Sequence, residues 1–185
     1  MPSFLVISAA TAFVAVILII FLFNSLIAKR NAVDFAFSCI DTQLKKRCDL
    51  IPNLIATVKG YANHEAGVLR EVTELRNQLI NQQSATNDRF ALETQLTEKL
   101  PALMAVAEAY PNLKADQQFL HLQRTLTEIE EQISAARRAF NAATYEYNNA
   151  VQSFPSNLIA GTFQFRARDF FHINDTERQN PAVSV

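Results

Sequence analysis

The first 28 residues carry no Lys, Arg, Asp or Glu and include the apolar run FLVISAATAFVAVILIIFLFNSLIA from 4 to 28. About 20 apolar residues suffice for a helix to cross the hydrocarbon of a bilayer, so this run can span it with some tilt. A cleaved signal peptide would have a basic start, a shorter apolar region and an A-x-A-like exit, and this segment has none of them. The sequence therefore predicts a transmembrane signal anchor at residues 1–28, with the lipid bilayer contacting residues 4–28.

Basic residues follow this run, and none precedes it. Lys29 and Arg30 come directly after it, and the basic run 45–47 lies within 20 residues. Because cytoplasmic flanks carry the excess of Lys and Arg, the N-terminus is predicted to lie outside and the rest of the chain in the cytoplasm.

The remaining roughly 155 residues fit one domain. Glycine is nearly absent, tryptophan is absent, and Ala, Leu, Glu, Gln and Asn dominate, which favours helix over sheet. The net charge is −1 and both signs are interspersed, so nucleic acid is not expected as a partner. The fold class predicted is all-α: a single transmembrane helix followed by an antiparallel up-and-down bundle of long helices and an aromatic tail.

Apolar residues at three- and four-residue spacing predict three helices in a bundle domain at residues 29–153, followed by a tail at 154–185. The helices span about 31–80, 89–110 and 116–153. Asp116 is the expected N-cap of the third helix, whose apolar heptads are typical of a coiled coil. Pro101 lies inside the second helix and is expected to bend it or to mark its start.

The first helix would reach about 75 Å and the second only about 33 Å, so the second covers only half of the first. Either residues 29–52 form a stalk, or the chain reverses at Pro52 and makes a four-helix bundle. A reversal needs a loop that the sequence around Pro52 hardly offers, which favours a continuous, kinked helix. Pro52 and Gly60 are then the predicted hinge between stalk and bundle.

Charges near the apolar face of this helix suggest contacts rather than catalysis. Arg47 and Glu65 fall on or near that face, which makes them candidates for buried charges. Three roles stay open for the basic run 45–47: a solvated helix face, a contact with anionic lipid, or an intersubunit ion pair.

Catalytic and metal-binding patterns are weak. His64-Glu65 matches half of HExxH, but Val68 stands where the second His belongs. His121 and His172 lie in unrelated segments without ligands at metal-binding spacing. With three glycines in the chain, phosphate-cradling loops are hard to build. We therefore expect no enzyme, no metal and no cofactor.

The tail contains four phenylalanines within nine residues, Phe163, Phe165, Phe170 and Phe171, with two arginines between them. Two roles stay open. The rings pack on the bundle, or they form an adhesive edge for a neighbouring subunit or the membrane interface.

Three stretches resemble the LemA family of bacterial membrane-anchored proteins: RNAVDFAFSCIDTQLKKRCDLIPNLIATVKGYANHE, AEAYPNLKADQQFLHLQRTLTEIEEQISAARRAFNAATYEYNNAV, and FPSNLIAGTFQFRARDFF. The first contains the matching motif residues and candidate intersubunit contacts Arg47, Asp49, Asn53, Lys59, Tyr61, His64 and Glu65. The chain departs from this family pattern at Cys48, Phe140 and Thr144, where the resemblance leads us to expect Ala, Tyr and Val.

The resemblance implies one N-terminal span with the N-terminus outside, a helical bundle, and a location in the bacterial cytoplasmic (inner) membrane. It does not define a biochemical role. The leading hypothesis is a non-enzymatic membrane scaffold that self-assembles into a homo-oligomer through the stalk and the aromatic tail. The alternative is a partner-binding or signalling adaptor for another membrane or envelope-stress protein.

Overall fold

The computed structural model describes residues 2–62, 65–81 and 86–171. Every regular element within these ranges is an α-helix, which confirms the all-α prediction. The helices are α1 (Pro2–Tyr61), α2 (Ala66–Asn81), α3 (Thr86–Ala109), α4 (Pro111–Lys114), α5 (Gln117–Gln152) and α6 (Ser156–Thr162).

Chain contacts divide the protein into two compact units. The central unit comprises residues 41–134, and the terminal unit comprises residues 1–40 and 135–185. Both α1 and α5 contribute residues to each unit. This division follows contacts, whereas the boundaries predicted at residues 28 and 153 followed composition.

The helix predicted over 31–80 is two helices, because α1 ends at Tyr61 and α2 begins at Ala66. The amide of Ala62 still donates to the carbonyl of Val58 at 2.9 Å, but the amide of Glu65 donates to Ala62 at 3.2 Å, which closes a tighter turn. Gly60, Asn63 and Gly67 surround this break in the sequence, and all are poor helix formers.

Pro52 lies within α1, so the chain reversal that the sequence left open there does not occur. Pro101 likewise lies inside α3 and does not mark its start.

The central unit is an up-and-down bundle of four helical segments within the described residues. Arg76 of α2 contacts Cys48 of α1, and Lys99 of α3 pairs with Glu71 of α2, so neighbouring segments run antiparallel. The N-terminal part of α5 completes the bundle. Its core is apolar and includes Ile51, Leu54, Val58, Val72, Leu96, Leu103, Leu113, Phe119 and Leu126.

The predicted stalk is wrong, because residues 29–52 are packed along their whole length. Val33 and Ile40 are buried in the terminal unit, and Leu44 and Ile51 are buried in the central unit. The stalk was predicted because only the second predicted helix was considered as a packing partner for the first. In the structure, α5 is long enough to cover the remainder of residues 29–52.

The seven-residue repeat of α5 finds its partners within the chain. Most of the larger apolar residues of the repeat are buried, namely Phe119, Leu122, Leu126, Ile129, Ile133 and Tyr147. The predicted N-cap is confirmed, since the carboxylate of Asp116 accepts the amide of Phe119 at 2.8 Å.

In the terminal unit, α1 and α5 run antiparallel. Lys29 pairs with Glu146 at 3.1 Å, and the rings of Phe37 and Phe140 meet at 6.0 Å. The chain then turns back through α6.

The C-terminal end of α6 sets the direction of the chain that follows it. Gln164 adopts φ 58°, and the amide of Phe165 donates to the carbonyl of Ala160 at 2.9 Å. This left-handed helix end directs residues 165–171 back along α5.

Candidate functional site

A cluster of charges lies in the core of the central unit around Arg47. Its side chain is fully buried, and it contacts Glu93, Glu130 and Thr97. The Nη1 atom donates to Glu130 Oε1 and to Thr97 Oγ1, each at 2.8 Å. Nη2 contacts the carboxylate of Glu93. The cluster therefore ties α1 to α3 and α5.

Thr97 lies one turn after Glu93 on α3 and completes the cluster. Its hydroxyl accepts from Arg47 and donates to the backbone carbonyl of Glu93 at 2.9 Å. Glu93 is buried, whereas the side chain of Glu130 is 31% exposed. One carboxylate is thus sealed in the core, and the other reaches water.

Two opposing effects set the pKa of Arg47. Burial alone would lower it, because desolvation disfavours the guanidinium cation. The carboxylates of Glu93 and Glu130 outweigh burial and raise the pKa of Arg47 above its ordinary value. Arg47 is therefore a permanent cation and cannot exchange protons with a substrate.

A second polar contact in this unit replaces the backbone hydrogen bond that Pro52 cannot make. Proline has no amide hydrogen, so the carbonyl of Cys48 loses its usual donor four residues later. The Nε atom of Arg76 in α2 donates to that carbonyl at 3.1 Å instead. The proline is accommodated because a neighbouring helix supplies the missing donor.

The structure does not bring the seven motif residues together. Arg47 points into the core, whereas Asp49, Asn53 and Lys59 are exposed. Glu65 is half-buried, and His64 lies outside the described residues. The motif therefore forms no catalytic cluster among its described members.

Tyr61 links the end of α1 to the start of α5. Its hydroxyl donates to the carboxylate of Asp116 at 3.0 Å. The amide of Phe119 and the hydroxyl of Tyr61 lower the pKa of Asp116, and the same hydrogen bond raises the pKa of Tyr61. Tyr61 therefore donates a hydrogen bond to the same carboxylate that caps α5.

A groove of about 430 Å³ lies between the last turns of α1 and the first half of α2. Ile55 and Leu69 supply apolar walls, while Lys59 and Arg70 add positive charge beside Glu74. Its lining therefore combines apolar side chains with charges of both signs.

Two of the four tail phenylalanines pack against the apolar N-terminal part of α1. The ring of Phe23 meets Phe163 at 4.9 Å and Phe165 at 5.8 Å, both edge to face. The guanidinium of Arg137 lies 4.7 Å from the ring of Phe171, while Phe170 is exposed. The tail thus packs on its own chain in part, and several apolar side chains remain outward.

Two asparagines of α5 bind the backbone of the tail, which the sequence analysis missed. Asn148 accepts the amide of Arg168 and donates to its carbonyl, both at 2.8 Å. Asn141 does the same for Phe171, at 2.8 and 3.1 Å. We call these four bonds the asparagine clasp.

The clasp works because seven residues of a helix and three residues of an extended segment cover nearly the same distance. Seven helical residues rise about 10.5 Å, and three extended residues cover about 10 Å. The signal available in the sequence was the seven-residue spacing of the two asparagines on one helix face. Arg168 adds a salt bridge to Asp34 of α1 at 2.5 Å.

Metal-binding geometry does not arise in the described part of the chain, which holds no group of three or more His, Cys, Asp or Glu side chains arranged around a common point. Cys39 and Cys48 are both thiols. His172, like His64, lies outside the described residues. The features that remain are the sealed charge cluster, the groove and the asparagine clasp.

The sequence profile described as LemA family matches residues 36–185. Protein LemA of Metamycoplasma hominis is 26% identical over 155 residues, which cover 84% of this chain and 71% of that protein. The residues that the family profile matches include the charge cluster, the groove and the clasp.

Two magnetosome proteins match a shorter part. Magnetosome protein MamQ of Magnetospirillum gryphiswaldense is 32% identical over 73 residues, or 40% of this chain and 27% of that protein. Magnetosome protein MamQ 2 of Paramagnetospirillum magneticum is 33% identical over 72 residues, or 39% of this chain and 26% of that protein. The similarity thus spans about a quarter of these two relatives. None of the three names denotes a catalytic activity.

Proposed function

The chain belongs to the LemA family, and we propose that it is a non-enzymatic scaffold that assembles with copies of itself through the outward face of α1. Family membership and the apolar start of α1 make it a membrane-associated protein. A position in the bacterial cytoplasmic membrane, with the N-terminus outside, is part of the proposal and is supported by Lys29 and Arg30 after the apolar run.

The face of α1 opposite the core carries the proposal. Leu26, Val33 and Ile40 repeat every seven residues and are buried in the terminal unit. Phe35 follows Val33 by two residues, which rotates it by about 200° to the opposite side of the helix. Its side chain is 72% exposed, so it points away from its own unit.

The exposed face has a repeat of its own. Phe21, Ala28 and Phe35 are spaced by seven residues, and Ala32 lies beside them. Such a repeat packs against a second helix of the same kind, and the alanines let two backbones approach closely. A second copy presents the same stripe, which makes the contact self-complementary.

Support for a non-enzymatic role comes from the charge cluster. Arg47 and Glu93 lie in the core with exposures of 0 and 1%. A substrate cannot reach these groups without unfolding the bundle. Their role is to join helices.

Cysteine crosslinking in native membranes tests the self-assembly. In a C39S/C48S background, A32C places a thiol on the outward face of α1, and A142C places one on the exposed surface of α5. A short bismaleimide is expected to join two chains of A32C but not of A142C. Equal dimer yields for the two variants, or no dimer for A32C, would contradict the proposed interface.

Replacing the exposed ring gives an independent measurement. F35S is expected to reduce the particle mass of the full chain in mild detergent, measured by mass photometry, because it removes the largest apolar contact of the stripe. A wild-type chain that is strictly monomeric would refute self-assembly itself.

The groove between α1 and α2 favours a second candidate function, that of a partner-binding adaptor. Its apolar walls and its charges of both signs fit an amphipathic peptide segment. Crosslinking followed by mass spectrometry separates the two functions. A scaffold gives mainly self-links at α1, whereas an adaptor gives links from Lys59 to another protein.

A further inference from the structure

The turn after α5 exposes an unusual concentration of apolar side chains. Phe154 is 80% exposed, Leu158 is 62% exposed and Phe163 is 53% exposed. Residues 153–165 contain no Asp, Glu, Lys or Arg. Such a patch on a soluble surface would favour binding to another apolar phase. We call residues 154–163 the apolar turn.

The apolar turn lies against the end of the membrane helix. Phe163 and Phe165 contact the ring of Phe23, which belongs to the apolar run of α1. Side chains of α1 are mostly exposed up to Phe21, and Leu26 is fully buried. Protein therefore begins to cover the helix within one or two turns of Phe21.

The position of Phe23 fixes the depth of this contact. A basic residue at the end of a membrane helix reaches the headgroups, which places Lys29 at that level. Phe23 precedes Lys29 by six residues, or about 9 Å along the helix. An interfacial element is buried by about 5–10 Å, so Phe163 lies at the depth of the boundary between headgroups and acyl chains.

Basic groups flank the apolar turn on its polar side. Arg30 lies with its guanidinium 5.6 Å from the ring of Phe165 and is exposed. Arg166 is also exposed and directly follows the charge-free stretch. Aromatic rings on the acyl-chain side and arginines on the headgroup side form an arrangement that suits an interface containing anionic lipid.

Backbone polar groups in and beside the apolar turn form hydrogen bonds within the protein, which favours their transfer to a region poor in water. The hydroxyl of Ser156 lies within hydrogen-bonding distance of the carbonyls of Ala150 and Ser153, at 2.6 and 3.0 Å. The amide of Phe165 is bound to Ala160. Satisfied backbone groups reduce the cost of leaving water.

We propose that the apolar turn is a second membrane contact, in which Phe154, Leu158 and Phe163 insert into the interface of the same leaflet that Lys29 marks. Its occupant is the lipid bilayer. The contact is independent of the self-assembly face, which lies on the side of α1 that carries Phe35.

Tryptophan fluorescence tests this contact directly, because the chain has no tryptophan. Three full-length variants, F154W, L158W and F163W, each receive one fluorophore. They are placed in nanodiscs of phosphatidylcholine and phosphatidylglycerol, with or without bromine on the acyl chains. F35W is the matched control, since Phe35 is exposed on α1 about 18 Å beyond Phe23.

Brominated lipid is expected to quench most of the emission of the three turn variants and to leave F35W unchanged. Bromines near the headgroup should quench more than bromines near the midplane. Emission that bromine quenches no more than in F35W would overturn the proposal. Blue-shifted emission without bromine quenching would also overturn it, because protein and not lipid would then cover the turn.

The outcome is separable from that of the scaffold proposal. Crosslinking at A32C depends on the outward face of α1 and not on the apolar turn. Circular dichroism of each tryptophan variant confirms that the helices are intact before the emission is compared.

Discussion

The central and terminal units bury their parts of α1 and α5 by different chemistry. The central unit has a continuous apolar core with one cluster of charges around Arg47. The terminal unit adds ring contacts at Phe23 and the asparagine clasp, which holds an extended segment, to buried apolar residues such as Val33 and Ile40. The same pair of helices therefore serves as a bundle core in one unit and as a platform for the tail in the other.

This difference predicts where each unit is vulnerable. Removing a charge from the central cluster leaves its partner buried without compensation, which is costly. Removing one clasp residue releases a surface segment and leaves the helices in place. The comparison fails if both changes affect the whole chain equally.

The largest expected effect belongs to R47M. Glu93 would stay buried without a cation, so the free energy of unfolding should fall by about 3–5 kcal/mol. Denaturant unfolding of the full chain in detergent, followed by circular dichroism, measures the loss. K46M is the matched control, because Lys46 is exposed beside it. A loss no greater than that of K46M would contradict a stabilising role for the cluster.

The next effect is expected in the terminal unit. N148A removes both hydrogen bonds to Arg168 and should cost about 2 kcal/mol locally. Amide hydrogen exchange at residues 168–171 should accelerate, while the helices of the central unit keep their protection. N149A changes the neighbouring exposed asparagine and should have no effect. Equal exchange in both variants would show that the clasp does not hold the tail.

A smaller effect tests how the central unit tolerates Pro52. R76M should cost about 1–1.5 kcal/mol, because the carbonyl of Cys48 loses the donor that replaces the missing amide. In a P52A background the helix supplies that donor, so the same change should cost about 1 kcal/mol less. A double-mutant cycle measures this coupling. Additive costs would separate Arg76 from the proline.

The smallest expected effect is a gain in the terminal unit. The hydroxyl of Thr144 is buried without a hydrogen-bond partner among the described residues. T144V should raise the free energy of unfolding by about 1 kcal/mol, because a methyl group, unlike a hydroxyl, has no hydrogen bonds to water to lose on burial. Thermal unfolding measures it. T125V, whose hydroxyl is bonded to His121, should bring no gain. A lower melting temperature for T144V would show that its hydroxyl has a partner.

Local signals were read correctly from the sequence where the physics is local. The helical periodicity, the N-cap at Asp116 and the long α5 depend on residues within a few positions of one another. The division between α1 and α2 was missed because Gly60 and Gly67 are individually weak signals. Pro52 is a stronger breaker, yet Arg76 compensates for it from 24 positions away. The hinge at Pro52 and Gly60 stays a prediction.

The candidate sites divide in the same way. The burial of Arg47 could be anticipated from the apolar face on which it falls. Its partners Glu93 and Glu130 could not, since they lie 46 and 83 residues away along the chain. The seven-residue spacing of Asn141 and Asn148 is a local signal, but the asparagine clasp also needs the tail to return along α5, and that spacing does not predict the return.

By itself, the sequence determined the membrane-associated start, the helical class and the spacing of the apolar faces, because these follow from composition and from periodicity over a few turns. Only the tertiary structure decided that the predicted stalk is packed, that Arg47 shares two carboxylates, and that the aromatic tail returns to Phe23. Each of these requires segments far apart in sequence to meet, and their meeting is governed by packing and by the satisfaction of buried polar groups.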